Sequence, residues 1–171
     1  MERPGWDDYF MGIAIAVRAR ANCMGKRVGA VLAREGRVVS TGYNGTPEDA
    51  GNCIEGGCRR CADSDTFPSG TAYDLCICVH AEQNALLSAA RFGIATEGAT
   101  LYTTTRPCFG CTKELLQAKI AAVVYLHDWA PDARLTDEYR RIQENFRGGV
   151  RQLQLDDPDA VWAAGGRERA G

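Results

Sequence analysis

Two short stretches carry residue types at spacings that suit metal chemistry. The first is His80-Ala81-Glu82, which opens the helically spaced run "AEQNALLSAA". The second is Pro107-Cys108-Phe109-Gly110-Cys111. The chain has only two histidines, so one placed beside a glutamate at a helix mouth asks for a reason. Cys108 and Cys111 stand at i and i+3, which in the first turn of a helix puts both sulfurs on one face. A helix N-terminus also favours the thiolate form that binds metal. Alone, this Cys-x-x-Cys pair fits half of a structural zinc site, a redox pair or coincidence, and Phe-Gly between the cysteines gives the redox reading no support. With His80 added, two thiolates and one imidazole make the ligand count of a catalytic zinc whose fourth position is left to water. Glu82 then stands near that water without binding the metal, free to move its proton. Taken singly, His80 equally fits a local hydrogen bond at a helix terminus, and Glu82 a first-turn carboxylate favoured by the helix dipole. Found together with a downstream Pro-Cys-x-x-Cys helix start, they favour the metal.

The elements that must hold these residues can be read from periodicity. Trp6, Tyr9, Phe10, Ile13, Ala14 and Val17 recur at helical spacing, so residues 6–20 form an amphipathic helix. "VGAVLA" (28–33) and "RVVSTG" (37–42), joined by a short turn, form a hairpin. From Tyr43 to Val79 the pattern gives way to Gly, Pro, Asp, Ser and Cys, and a connection that long is functional or internally braced. A helix follows over 80–92 and a strand over 99–105. Pro107 then opens a helix running to about 118, in the position where its missing N–H costs least. Residues 121–127 form a strand, 136–146 a helix and 150–155 an edge strand. Strands alternating with helices give an α/β sandwich, with both chemical stretches at helix N-termini, where sites in such sheets collect.

At 171 residues, 45% hydrophobic and 25% charged, the chain has the composition of one globular domain. We read residues 1–155 as that domain and 156–171, rich in Gly, Ala and charge, as a flexible tail. A formal net charge of −2 argues against a nucleic acid polymer or an anionic membrane as partner. The acidic N-terminus and interrupted apolar pattern predict a cytoplasmic protein without a membrane span. Eight cysteines in a reducing compartment read as metal ligands before disulfides.

His80-Ala81-Glu82 and Pro107-Cys108-Phe109-Gly110-Cys111 match the zinc nucleobase deaminase signature. Together with "VGAVLAREGRVVSTGYNGTP", "HAEQNALLSAARFGIATEGATLYTTTRPCFGC" and "AKIAAVVY", they resemble the deoxycytidylate (dCMP) deaminases over roughly residues 6–130. The resemblance implies a cytidine deaminase-like three-layer α/β/α sandwich with a five-stranded mixed sheet. It implies hydrolysis of dCMP to dUMP and ammonia, with Zn2+ on His80, Cys108 and Cys111 and Glu82 as the proton carrier. It also implies substrate contacts at Asn44, within "TGYNG", and at Ala81 and Arg91, while Thr105 and Arg106, immediately before Pro107, border the metal ligands and are expected to line the pocket. For Asn44 the plain alternative is a turn residue, and for Arg91 a solvated helix arginine. Arg27 is a candidate phosphate contact because a monophosphate suits a planar cationic donor, although Lys26 offers the same charge. Where the family often has an aromatic residue over the substrate, this chain has "LHDW", so that contact falls to Trp129, and His127 reads as a surface residue at a strand end.

The remaining cysteines lie mostly in the irregular segment. Some family members carry a structural zinc there, and a second zinc drawn from Cys23, Cys53, Cys58, Cys61 and Cys76 is expected, Cys58-x-x-Cys61 being a ligand spacing. The alternative is a set of buried free thiols. Hexameric assembly and regulation by dCTP and dTTP are implied by resemblance alone. The competing functions are a zinc deaminase acting on another nucleotide, nucleoside or base (dCTP, CMP, cytidine, a guanine-type base), or a non-catalytic zinc-binding module.

Overall fold

The computed structural model describes residues 3–63, 65–67 and 71–163. Five strands form one mixed sheet in the order β2-β1-β3-β4-β5: β1 Gly29–Arg34, β2 Arg37–Tyr43, β3 Thr100–Thr105, β4 Ala122–His127 and β5 Val150–Gln152. Strand β1 runs antiparallel to β2 and β3, while β3, β4 and β5 are parallel. Parallel neighbours need crossovers. Helix α4 (Phe109–Gln117) supplies the one between β3 and β4, and α5 (Thr136–Gln143) the one between β4 and β5.

Strand alternation divides the core into two layers. Val31 and Ala33 of β1, Tyr102 of β3, and Val124 and Leu126 of β4 face α1 (Trp6–Arg18), which buries Phe10, Met11 and Ala14 against them. Ala30, Leu32, Leu101 and Val123 point the other way, onto Ala81 and Ala85 of α3 (Ala81–Arg91) and Leu115 of α4. The result is the expected α/β/α sandwich. Helix α3 sits very close to the sheet. A Cβ on Gly42 of β2 would lie 2.1 Å from the Ala81 carbonyl oxygen and 2.4 Å from the Ala85 nitrogen. Only glycine permits that approach, and it sets the depth at which α3 begins.

Four sequence expectations change. Pro107 lies outside α4, one residue before the cap, because Cys108 takes the N-cap position with its sulfur accepting from the Cys111 N–H at 3.5 Å. Strand β5 stops at Gln152, and Leu153 and Leu155 instead pack onto the α1 layer. The segment from Tyr43 to Val79 contains a short helix, α2 (Arg59–Ala62), and two 3-10 turns, Cys53–Glu55 and Tyr73–Leu75. The first part of the presumed flexible tail is anchored. Asp157 is buried and forms a two-pronged ion pair with the fully buried Arg18 at 2.6 and 2.8 Å, while Trp162 covers the Arg18 and Arg27 guanidinium groups. A buried guanidinium needs a carboxylate, and the tail supplies it. Residues 164–171 lie outside the described residues. No helix among those described is long and apolar enough to cross a membrane.

Candidate active site

Helices α3 and α4 begin side by side, and their N-caps, His80 and Cys108, face each other. His80 Nδ1 lies 3.5 Å from Cys108 Sγ and 3.4 Å from Cys111 Sγ. All three donor atoms lie within 4.8 Å of one another. With Zn–S near 2.3 Å and Zn–N near 2.0–2.1 Å, a tetrahedral ion would separate nitrogen from sulfur by about 3.6 Å. The spacing therefore fits zinc. The electrostatics fit as well. Hydrogen bonding from Cys111 holds the Cys108 thiol down at about 4 despite its burial. Cys111 is driven well above the ordinary thiol range by Cys108 and by burial. The Cys108 sulfur, opposed by burial, holds the His80 proton up to about 9. The cluster attracts positive charge at the point where the three donors converge, and a dication there would let both thiols ionise.

Two contacts fix this geometry. Gln83, three residues beyond the α3 N-cap, accepts the His80 backbone N–H at 3.0 Å and donates to Glu114 of α4 at 3.0 Å, tying one helix mouth to the other. Tyr139 of α5 donates its hydroxyl to the Pro107 carbonyl, pinning the backbone just before Cys108. Sequence reasoning missed both residues. Gln83 was detectable as the partner position of a capping box, whereas Tyr139 acts across a tertiary contact that no local pattern reports.

Glu82, the second residue of α3, is only 4% exposed. Burial pushes its carboxyl up to about 7, against the opposing charge of His80. A carboxyl poised near neutrality both accepts and returns a proton at low cost.

The other expected site residues fall into two groups. Ala81 is buried in the first turn of α3, and Thr105 ends β3 with its buried Oγ1 unpartnered among the described residues. Asn44 is buried, and its neighbour Gly45 bridges to Val79, the residue before His80. The Asn44 amide accepts from Val28 N–H and donates to the Lys26 carbonyl, both at 2.8 Å, and so clamps the backbone on either side of Arg27. Arg27 lies under the Trp162 ring with its Nε buried and unpartnered among the described residues. Trp129 donates Nε1–H to the Arg106 carbonyl at 2.8 Å, and the Arg106 guanidinium stacks on Tyr139. Arg91 is not brought to the site. It lies at the far end of the 11-residue α3, exposed, paired with Glu48 at 3.4 Å. His127 is more than a surface residue, since its Nε2 meets Asp157 at 2.6 Å.

Beside this site the remaining six cysteines share one pocket. Two quartets have all their sulfurs within 4.8 Å of one another: Cys23, Cys53, Cys61 and Cys78, and Cys58, Cys61, Cys76 and Cys78. Cys78, left out of the expected ligand set, belongs to both. The signal was present, because extended backbone turns residues i and i+2 to one side. Cys76 and Cys78 face inward while Ile77 between them is exposed.

Residues 4–127 match the family model for the cytidine and deoxycytidylate deaminase zinc-binding region. The chain belongs to that family. It is 43% identical over 159 residues to the deoxycytidylate deaminase of Saccharomyces cerevisiae, covering 93% of this chain and 48% of that protein. It is 50% identical over 123 residues to the deoxycytidylate deaminase of Schizosaccharomyces pombe, covering 72% of this chain and 37% of that protein. The chain therefore spans about half, or less, of the length of these relatives. The crystal structure of dCMP deaminase from cyanophage S-TIM5 in complex with dCMP and dUMP superposes with a TM-score of 0.67 at 27% identity, covering 90% of this chain and all of that one.

Proposed function

We propose that the chain is a zinc-dependent hydrolase that converts dCMP to dUMP and ammonia. The observation that carries this reading is the convergence of two helix N-termini on His80, Cys108 and Cys111, with a buried carboxyl two residues beyond His80. Zinc on those three ligands, when bound, supplies a water made acidic enough to lose its proton near neutrality. Glu82 accepts that proton at its carboxylate and delivers it to N3 of the cytosine as the water oxygen bonds C4. It then takes the proton of the hydroxyl added at C4 and passes it to the amine, which leaves as ammonia as the C4–N bond breaks and the C4 carbonyl forms. The buried setting that raises the Glu82 carboxyl suits it to this exchange. A non-catalytic zinc module would have no use for a carboxyl held out of water beside an incomplete ligand set.

The nucleotide reading is supported by the sequence relatives and by Arg27 and Thr105, whose unpartnered buried polar atoms suit a phosphorylated, hydroxyl-bearing ligand. Asn44 serves it by holding the loop of Arg27, with spare hydrogen-bonding capacity on its amide. Trp129, held to the Arg106 backbone, is the aromatic residue this reading assigns to the substrate. A structural zinc among the other cysteines, a cytoplasmic setting in keeping with eight unpaired thiols, homo-oligomeric (hexameric) assembly and regulation by dCTP and dTTP belong to the same reading. Ammonia release measured side by side on dCMP, dCTP, CMP, deoxycytidine and guanine tests it. We expect turnover to be fastest on dCMP, and activity confined to a nucleoside or base overturns the assignment.

A further inference from the structure

The six cysteines outside the catalytic set pack together as one cluster. Cys23, Cys53, Cys58 and Cys78 are buried, and Cys61 and Cys76 pack against them. Four separate pieces of chain supply the sulfurs: the loop after α1, the first 3-10 turn, the N-terminal end of α2 with its preceding residue, and the extended run into His80. Two thiol contacts within the cluster, Cys58–Cys76 and Cys61–Cys76, measure 3.9 and 3.8 Å. That is far too long for a disulfide, whose sulfurs lie about 2.05 Å apart. It equals the sulfur–sulfur edge of a tetrahedral zinc thiolate, about 3.8 Å for Zn–S near 2.3 Å.

The arrangement of the quartets is more informative than any one distance. Each has four sulfurs, the closed count of a structural zinc, and they have Cys61 and Cys78 in common. Two tetrahedra joined along one edge need six vertices, and six cysteines are present. One ion in the first quartet would leave Cys58 and Cys76 as idle thiols against it. One ion in the second would leave Cys23 and Cys53, and with them the loop after α1, untied. The surroundings are built for thiolate. Met24 donates its backbone N–H to Cys53 Sγ at 3.3 Å, the kind of outer contact that orients a ligating sulfur. A Cβ on Gly57 would lie 1.8 Å from the Gly51 carbonyl oxygen. Glycine there lets the chain double back so that Cys53 and Cys58 enter one pocket.

We propose that this pocket holds a binuclear zinc cluster, with Cys61 and Cys78 bridging the two ions, Cys23 and Cys53 completing one and Cys58 and Cys76 the other. Two dications and six thiolates leave the cluster with two negative charges, and six protons are released as it forms. The proposal deepens the reading that a structural metal sits here and rests on it. The chain then carries three zinc ions, two of them structural.

Elemental analysis of the purified protein is expected to give three zinc ions per chain, and two for His80→Ala. A structural count of one or none overturns the proposal. An unchanged count in His80→Ala would instead defeat the catalytic assignment and leave this one standing. Cadmium-113 exchange of the unmodified protein followed by NMR supplies the second arm. Two of the resonances are expected to split each other through the shared sulfurs, and unsplit signals overturn the bridged cluster.

Discussion

At the scale of the residue, Glu82 holds the most telling position. Its carboxyl stands at the mouth of α3, buried, beside two thiols and an imidazole, and its affinity for a proton is raised toward neutrality. Glu82→Gln keeps the shape and removes the proton exchange. We expect kcat on dCMP to fall by about 10²–10⁴-fold, the usual contribution of a positioned acid–base group, with zinc content unchanged by elemental analysis. Loss of metal in this variant would make Glu82 a ligand instead. Gln83 tests the positioning of the same site. Gln83→Ala removes the link from His80 to Glu114, and we expect weaker zinc retention against a chelator, on the scale of about 10–100-fold for an outer partner of a ligand. Retention equal to the wild type would show that the two helix mouths are held by packing alone. The convergence of His80, Cys108 and Cys111 beside Glu82 was legible in the sequence because it depends on residue type and local spacing. Of the two readings of Arg91, the exposed helix arginine is the one its pairing with Glu48 fits, because an arginine's position in a motif does not say which end of a helix faces the site. Asn44 was expected as a substrate contact or a turn residue, and its hold on the backbone either side of Arg27 emerged only from the fold.

At the scale of the element, periodicity found every helix and strand of the sandwich, since each carries one face into a core that alternates cleanly about the sheet. Their ends were less legible. Pro107 was expected inside α4, yet capping by a cysteine sulfur moved the start of the helix two residues along. The short α2 went unread because four residues carry no period, and its one packed residue, Cys61, meets cysteines far apart in the chain. Gly42 shows how an element's placement decides chemistry. Gly42→Ala puts a methyl group into the backbone of α3, so the helix must lift from β2 and carry His80 and Glu82 with it. We expect a loss of about 1–3 kcal/mol in denaturant titration, the range for overpacking, together with a fall in kcat. An unchanged unfolding midpoint would show that α3 is free to shift.

At the scale of the whole molecule, the ion pair between Arg18 and Asp157 joins α1 to the last described segment, with His127 at the end of β4 as the third member. Burial by itself would raise the Asp157 carboxyl. Hydrogen bonds from Arg18 and His127 outweigh it and hold the carboxyl well below the usual range. Asp157→Asn leaves a buried guanidinium unpaired, and we expect a loss of about 3–5 kcal/mol at neutral pH. A group with a depressed folded pKa stabilises fully above its unfolded pKa, about 3.9, and less as pH falls below it. The stability gap between wild type and Asp157→Asn is therefore expected to stay flat from pH 8 to about 5 and to narrow in stronger acid. A gap that widens on acidification would assign the stabilisation to another group.

The same ion pair sets a timetable for the chain as it is made. The carboxylate that neutralises Arg18 lies 139 residues further along the chain. At 5–20 residues per second, that is a wait of roughly 7–28 s. Through that interval α1 can lie against the emerging hairpin, but its last turn carries a cation with no partner to bury against. Docking of α1 is thus completed by a piece of chain made well after it, and a nascent chain stalled before Asp157 keeps that corner of the molecule open to water.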